Sequence, residues 1–139
     1  MEENRKEKAI ELFNTKYNCA QSIFIAYSDM FGIDKKTATK LTFGFGGGIA
    51  STGKTCGTIN AAVMLLSLKY ADENNDIERS KKVKNIIRNF MYDFQEQHKG
   101  INCVDLLTEE KGKVYSMHSE KCASIVSLVC DLLDKYLFM

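Results

Sequence analysis

The chain of 139 residues contains no proline, so no position in it forbids a helix interior from running on. Strict apolar–polar alternation of β-branched residues is scarce as well, which argues against a sheet-based fold. Any apolar run approaching the length of a membrane span is also missing, and the opening residues MEENRKEKAI hold no apolar segment of the signal-peptide kind. The expectation is a cytoplasmic protein that makes no use of a membrane. Net charge is only +1 and the cations form no basic block, so nucleic acid and acidic membrane surfaces are not implied as partners. Histidine occurs twice, and the five cysteines include no C-x-x-C pair. Five thiols are a poor allotment for structural disulfides in a compartment that keeps thiols reduced, so metal binding or redox chemistry moves forward.

What is present reads as helix after helix in a single domain spanning 1–139, with 45% hydrophobic and 27% charged residues, the balance of an ordinary globular protein. A first helix is predicted from about Glu3 to Asn14, with Ala9, Ile10, Leu12 and Phe13 as its apolar stripe. Asn18, with Gln21 three residues on, is a capping-box pattern that opens a second helix reaching Phe31, where Gly32 stops it. Asp34 caps a third to about Leu41. A fourth starts near Cys56, and its Ala61, Ala62, Met64, Leu65, Leu66 and Leu68 make it apolar around most of its circumference, as a central buried helix is. Asp76 caps a fifth to about Gln97, with Ile77, Val83, Ile86, Ile87, Phe90, Met91 and Phe94 on its buried side. Asn102 opens a short element behind Cys103. A polar loop covers Glu109 to His118, and Ser119 caps a last helix from Glu120 to about Tyr136. The predicted fold is all-α: one bundle of about six to seven helices, with a glycine-rich loop before the central buried one.

That loop, FGFGGGIASTGKTCG, carries a phosphate-binding pattern letter for letter, since Gly48 to Thr55 reads G-x-x-x-x-G-K-T. The pattern works only behind a buried parallel strand and with a later acidic residue at a strand end. Thr42, Phe43 and Phe45, broken by Gly44, make no such strand, so Lys54 and Thr55 are read as incidental.

The cysteines say more. Cys19 follows Asn18, Cys56 follows Thr55, Cys103 follows Asn102 and Cys122 lies three residues behind Ser119, which puts each in the predicted first turn of a different helix. Four helix starts converging on one anionic centre would offset its charge without basic side chains. Cys130 falls mid-helix and reads as a core thiol. His118, four residues before Cys122, is read as solvent-exposed rather than as a ligand. His98 is assigned to the dipole at a helix C-terminus. Asn60, one turn after Cys56, could orient a sulfur or make a plain buried contact. Tyr17, Phe24, Phe43, Phe45 and Phe90 are read as core rather than as a cofactor box.

The order YNCAQS around Cys19, FGFGGGIASTGKTCG through Gly57, INCVDLL around Cys103 and the late Cys122 resembles the redox-active proteins named after the motif C…GCAxxG…C…C, over nearly the whole chain. The resemblance implies a small all-helical redox protein in which Cys19, Cys56, Cys103 and Cys122 match the four family cysteines. It also tilts the cofactor toward an iron–sulfur centre. In the motif itself Cys56 and Gly57 fit, while Thr58 and Ala61 stand where alanine and a second glycine are expected.

Three readings of the same four cysteines follow. In the first they bind an iron–sulfur cluster, with 2Fe-2S favoured, and Gly46, Gly47, Gly48 and Gly57 wrap it through backbone N–H groups; the protein then moves or senses electrons. In the second no metal is bound, and low-pKa thiols exchange as disulfides with Cys56 as nucleophile. In the third the four hold a structural zinc ion. A redox partner protein is implied, its identity is not, and a homodimer is left open. No enzyme reaction is assigned.

Overall fold

In the computed structural model, which describes residues 4–109 and 112–139, the chain forms seven α-helices and two short 3₁₀ turns. They run α1 (Arg5–Phe13), α2 (Cys19–Ser28), a turn at Asp29–Phe31, α3 (Lys35–Thr42), a turn at Phe43–Phe45, α4 (Gly57–Tyr70), α5 (Ile77–Gln95), α6 (Cys103–Leu106) and α7 (Glu120–Leu137). The predicted start of the first helix, Glu3, and two residues of the polar loop, Glu110 and Lys111, lie outside the described residues. Among the described residues pairing is limited to two isolated bridges, Thr55 with Asn102 and Thr108 with Val114. The all-α expectation therefore holds.

The centre of the bundle is the pair α2 and α4, which pack on each other, with α1 and α7 closing the sides, α3 against α2, and α5 against α4 and α7. α2 is buried from Ala20 to Ser28, and side chains such as Phe24, Ile23 and Tyr27 are wholly removed from water. Each contributes about 1.5–3 kcal/mol of transfer free energy. Its start is fixed by the expected capping box: the Gln21 N–H donates to Asn18 Oδ1 at 2.9 Å, and the Asn18 N–H donates to Gln21 Oε1 at 3.0 Å. Gly32 ends the following turn in the left-handed region, φ 70°. On α4, Ala61, Ala62, Leu65 and Leu66 are buried as expected, and Ile59 with them, whereas Leu68, counted in the same apolar circumference, is 45% exposed near the end of the helix.

Three further details differ from expectation. Ile77, assigned to the buried side of the fifth helix, is 72% exposed, because as the first residue of α5 it lies beyond the reach of α4 and α7. Phe43, assigned to the core, is 70% exposed; the 3₁₀ turn it begins swings it out of the α2–α3 contact. His98 does not serve as a charged cap: it lies against the Phe94 ring, with centroids 4.9 Å apart, and burial, followed by the nearby Lys121, lowers its pKa. No helix among the described residues is long and apolar enough to cross a membrane.

Candidate functional site

The glycine-rich segment is where local sequence sets the site. Gly47, Gly48, Ile49, Ala50 and Ser51 all have positive φ, between 49° and 70°, so five consecutive residues turn left-handed. For the three that carry a Cβ this costs about 1–2 kcal/mol each. The segment offsets the cost with its own backbone: the Ala50 N–H donates to Gly44 O at 2.7 Å, Ser51 to Gly46 at 3.1 Å, Gly53 to Gly47 at 3.1 Å and Lys54 to Gly48 at 2.9 Å. Those N–H groups are thus spent inside the loop, where a phosphate cradle would leave them free. With no strand in front and Lys54 exposed, the loop is no nucleotide site. Lys54→Ala is expected to leave the helical circular dichroism unchanged, and the parent should show no saturable magnesium-dependent ATP binding in calorimetry.

Past the loop, the Thr55–Asn102 bridge ties two cysteine-bearing segments together. The Cys56 N–H donates to Ile101 O at 2.7 Å, and the Cys103 N–H donates to Lys54 O at 2.6 Å. Cys103 thereby starts α6 beside the start of α4. Cys19 is the first residue of α2 and Cys122 the third of α7. Cys56 differs from expectation by one position: it is itself the N-cap of α4 rather than a member of its first turn.

Cys19, Cys56, Cys103 and Cys122 all line one cavity of about 190 Å³, together with Asn18, Gly46, Gly47, Ser51, Thr58 and His118 and an apolar wall of Phe13, Leu106, Leu107, Met117 and Ile125. Among the described residues no Asp, Glu, Lys or Arg is in that lining. Cys130 is not part of it; it is fully buried elsewhere on α7, and burial pushes its thiol up to about 12. Gly46 and Gly47 face the cavity, whereas Gly48 and Gly57 stand behind it. A Cβ on Gly48 would come within 2.7 Å of Cys103 Cβ, and one on Gly57 within 2.9 Å of Cys19 Sγ. Asn60 is not among the lining residues, and its buried Nδ2 has no hydrogen-bond partner among the described residues. Phe13, which the sequence placed in the core stripe of the first helix, supplies the cavity's aromatic wall instead of the five aromatics that were weighed for such a role. His118 is exposed, as expected. Its ring stacks on Phe13 with centroids 3.9 Å apart, and its Nε2 lies 3.3 Å from Tyr17 O.

Within the cavity Cys19 and Cys56 are opposed in character. The hydrogen bond from Cys19 brings Cys56 down to about 6 against the opposition of burial, and the Thr58 hydroxyl and the first N–H groups of α4 add to the effect. Cys56 Sγ and Thr58 Oγ1 are 3.0 Å apart. The same hydrogen bond raises Cys19 well above the ordinary thiol value, burial raises it further, and the Gly47 N–H opposes them. Burial, followed by the neighbouring Cys56 and Cys122, pushes Cys103 up to about 11. The sequence marks Thr58 only as a departure from a motif; its place two residues past the N-cap Cys56 is the signal for the approach of its hydroxyl to that sulfur.

In the metal-free chain, iodoacetamide alkylation of Cys56 is therefore expected to rise with a midpoint near pH 6, read by peptide mass mapping, with Cys103 and Cys130 silent through neutral pH. The linkage has a sign. The folded-state value lies below that of an unfolded thiol, about 8.5, so the stability that Cys56 contributes is fully present above that value. It is lost as pH falls through about 6. A midpoint at the ordinary thiol value would remove the thiolate from the site.

As to a metal, among the described residues no three His, Cys, Asp or Glu side chains stand close enough together to hold one ion. A four-cysteine zinc site needs its donors on a single point, and the thiols here are spread around a volume. A two-iron cluster asks for two cysteines at each iron, and Cys19 and Cys56 already form one adjacent pair. The soft, all-thiol donor set suits iron–sulfur chemistry.

Comparison with known proteins places the chain in a redox-active family. The model of the family described as "Putative redox-active protein (C_GCAxxG_C_C)" matches residues 17–136. An uncharacterized protein of Archaeoglobus fulgidus is 30% identical over 138 residues, covering 94% of this chain and 91% of its own length. No solved structure matches the chain.

Proposed function

The chain belongs to the C_GCAxxG_C_C family, and from that premise we propose that it is a redox protein whose Cys19, Cys56, Cys103 and Cys122 hold an iron–sulfur cluster, 2Fe-2S in preference, for electron transfer or redox sensing. One observation carries the reading: four of the five thiols, each at or near the start of a different helix, line a single cavity with no carboxylate, lysine or arginine among the described residues of its lining. Such a cluster supplies one-electron exchange when bound. The chain's own residues supply the rest. The starts of α2, α4 and α7 set partial positive charge around the sulfurs, and the Thr58 hydroxyl stands 3.0 Å from Cys56 Sγ. Phe13, Leu106, Leu107 and Ile125 hold the wall dry. We place the protein in the cytoplasm with a redox partner protein, and a homodimer fits as well as a monomer.

The test is the visible spectrum with the iron, zinc and acid-labile sulfide content of protein purified without oxygen. Iron and sulfide in equal amounts with charge-transfer absorption are expected. Protein that stays metal-free after anaerobic reconstitution, or that holds zinc alone, defeats the reading. A second reading, thiol–disulfide exchange without metal, is favoured by the place of Cys19 and Cys56 in one cavity and by the low value of Cys56.

A further inference from the structure

We propose that the chain without its metal reduces hydroperoxides, with Cys56 as the sulfur that attacks and Cys19 as the thiol that resolves it. The proposal rests on the dithiol reading of that pair and not on the cluster. Its ground is a convergence of groups inside the cavity. Cys56 is the N-cap residue of the 14-residue helix α4, so its side chain sits at the positive end of that helix. The Thr58 hydroxyl stands 3.0 Å from the same sulfur and is itself buried, with 1% exposure. Cys19, the first residue of α2, brings its sulfur to the start of α4, where a Cβ on the next residue after Cys56, Gly57, would fall 2.9 Å from it. All three side chains open on the same space of about 190 Å³.

A peroxide entering that space meets a sulfur, a hydroxyl that can steady the departing oxygen, and a second thiol in the same cavity. Among the described residues the wall holds no Asp, Glu, Lys or Arg and is largely apolar, which suits a small neutral molecule and disfavours anionic oxidants. In the first step Cys56 sulfur displaces on the near peroxide oxygen. The S–O bond forms and the O–O bond breaks, and the proton of the Cys56 thiol ends on the departing oxygen, giving a sulfenic acid and an alcohol, or water where the substrate is hydrogen peroxide. In the second step Cys19 sulfur displaces that hydroxyl from Cys56. The S–S bond forms, the S–O bond breaks, and the Cys19 proton leaves with the hydroxyl as water. Two thiols are oxidised and one peroxide is reduced, so the sum balances as two thiols plus one hydroperoxide giving one disulfide, one alcohol and one water. Turnover then requires a dithiol reductant that takes the disulfide by exchange.

The experiment uses the full chain, stripped of metal with a chelator, reduced, desalted and mixed with hydrogen peroxide. Peroxide consumption at least about tenfold faster than by free cysteine at the same pH is expected, the effect of one well-placed hydrogen bond to the reacting sulfur. Peptide mapping should find Cys19 joined to Cys56. Cys19→Ser should halt at a sulfenic acid on Cys56 that dimedone traps, and Cys130→Ala should behave as the parent. Thr58→Val keeps the shape of the side chain and should slow the reaction about tenfold with the helical spectrum intact. Diamide, an oxidant that needs no peroxide chemistry, separates the two layers. A Cys19–Cys56 disulfide with diamide but a peroxide rate no faster than that of free cysteine overturns the proposal and leaves the dithiol reading standing. No disulfide between that pair with either oxidant overturns both.

Discussion

Cys19→Ser, Cys56→Ser, Cys103→Ser and Cys122→Ser are each expected to lose bound iron, while Cys130→Ala keeps all of it. The four line one cavity and the fifth does not, so the four should fail as a group. A serine oxygen is a harder donor than a thiolate and carries its proton at neutral pH, so it does not replace the charge that the cluster requires. The loss should extend to stability, because a cofactor bound only by the folded state adds its binding free energy to that of the fold. At Cys130 the only change is a small truncation in a packed place against Tyr27, whose phenol reaches over to Cys130 O and to Asp134. That truncation should cost about 1 kcal/mol. Metal content and anaerobic spectrum of the five variants side by side decide the matter. Loss of iron in Cys130→Ala with full retention in any one of the four would reassign the site.

Much of this was legible before any coordinates, and the reason is local. A capping box such as Asn18–Gln21 needs only four residues to declare itself. The five-cysteine pattern told the N-terminal thiols from the mid-helix one because position within a helix is a matter of caps and period. What stayed hidden was non-local. Nothing in the sequence says that Thr55 pairs with Asn102, yet that bridge brings Cys103 to Cys56 across nearly fifty residues of chain. The stacking of His118 on Phe13 joins two segments more than a hundred residues apart, so a reading of the loop alone gives the exposure of that imidazole and misses the ring it lies on. The left-handed run was only half visible. Glycine announces freedom at 47 and 48, but Ile49, Ala50 and Ser51 follow into the same region against their own preference, held there by hydrogen bonds that only the closed loop provides.

Gly48→Ala and Gly57→Ala are expected to be among the most damaging single-methyl changes in the molecule, for two separable reasons. At Gly48 a Cβ would fall 2.5 Å from Lys54 O and 2.6 Å from Lys54 N, both backbone, at a φ of +70°. Backbone cannot swing aside as a side chain can, and the conformation itself disfavours alanine. Together these predict a loss of about 2–5 kcal/mol. The loop that presents Gly46 and Gly47 to the cavity should open with it. At Gly57 the backbone conformation is ordinary, and the obstacle is what lies opposite: Phe45 O at 2.6 Å, Cys19 Sγ at 2.9 Å and Ala20 Cβ at 3.0 Å. A methyl there wedges the start of α4 off the start of α2, at about 1–3 kcal/mol, and it pushes Cys19 away from the sulfur it hydrogen-bonds. Gly57→Ala should therefore carry a mark beyond its stability loss. The alkylation midpoint of Cys56 should move up from about 6 toward the ordinary thiol range, which no purely structural defect far from the pair would cause. Gly44→Ala is the control, since a Cβ there meets nothing within 4 Å and its unfolding midpoint should match the parent. Urea denaturation of the three variants, with the Cys56 alkylation profile of Gly57→Ala, makes the measurement. Parent-like midpoints for Gly48→Ala would sink the closed-loop account, and an unmoved Cys56 profile in a folded but destabilised Gly57→Ala would show that this glycine does not set the approach of the two sulfurs.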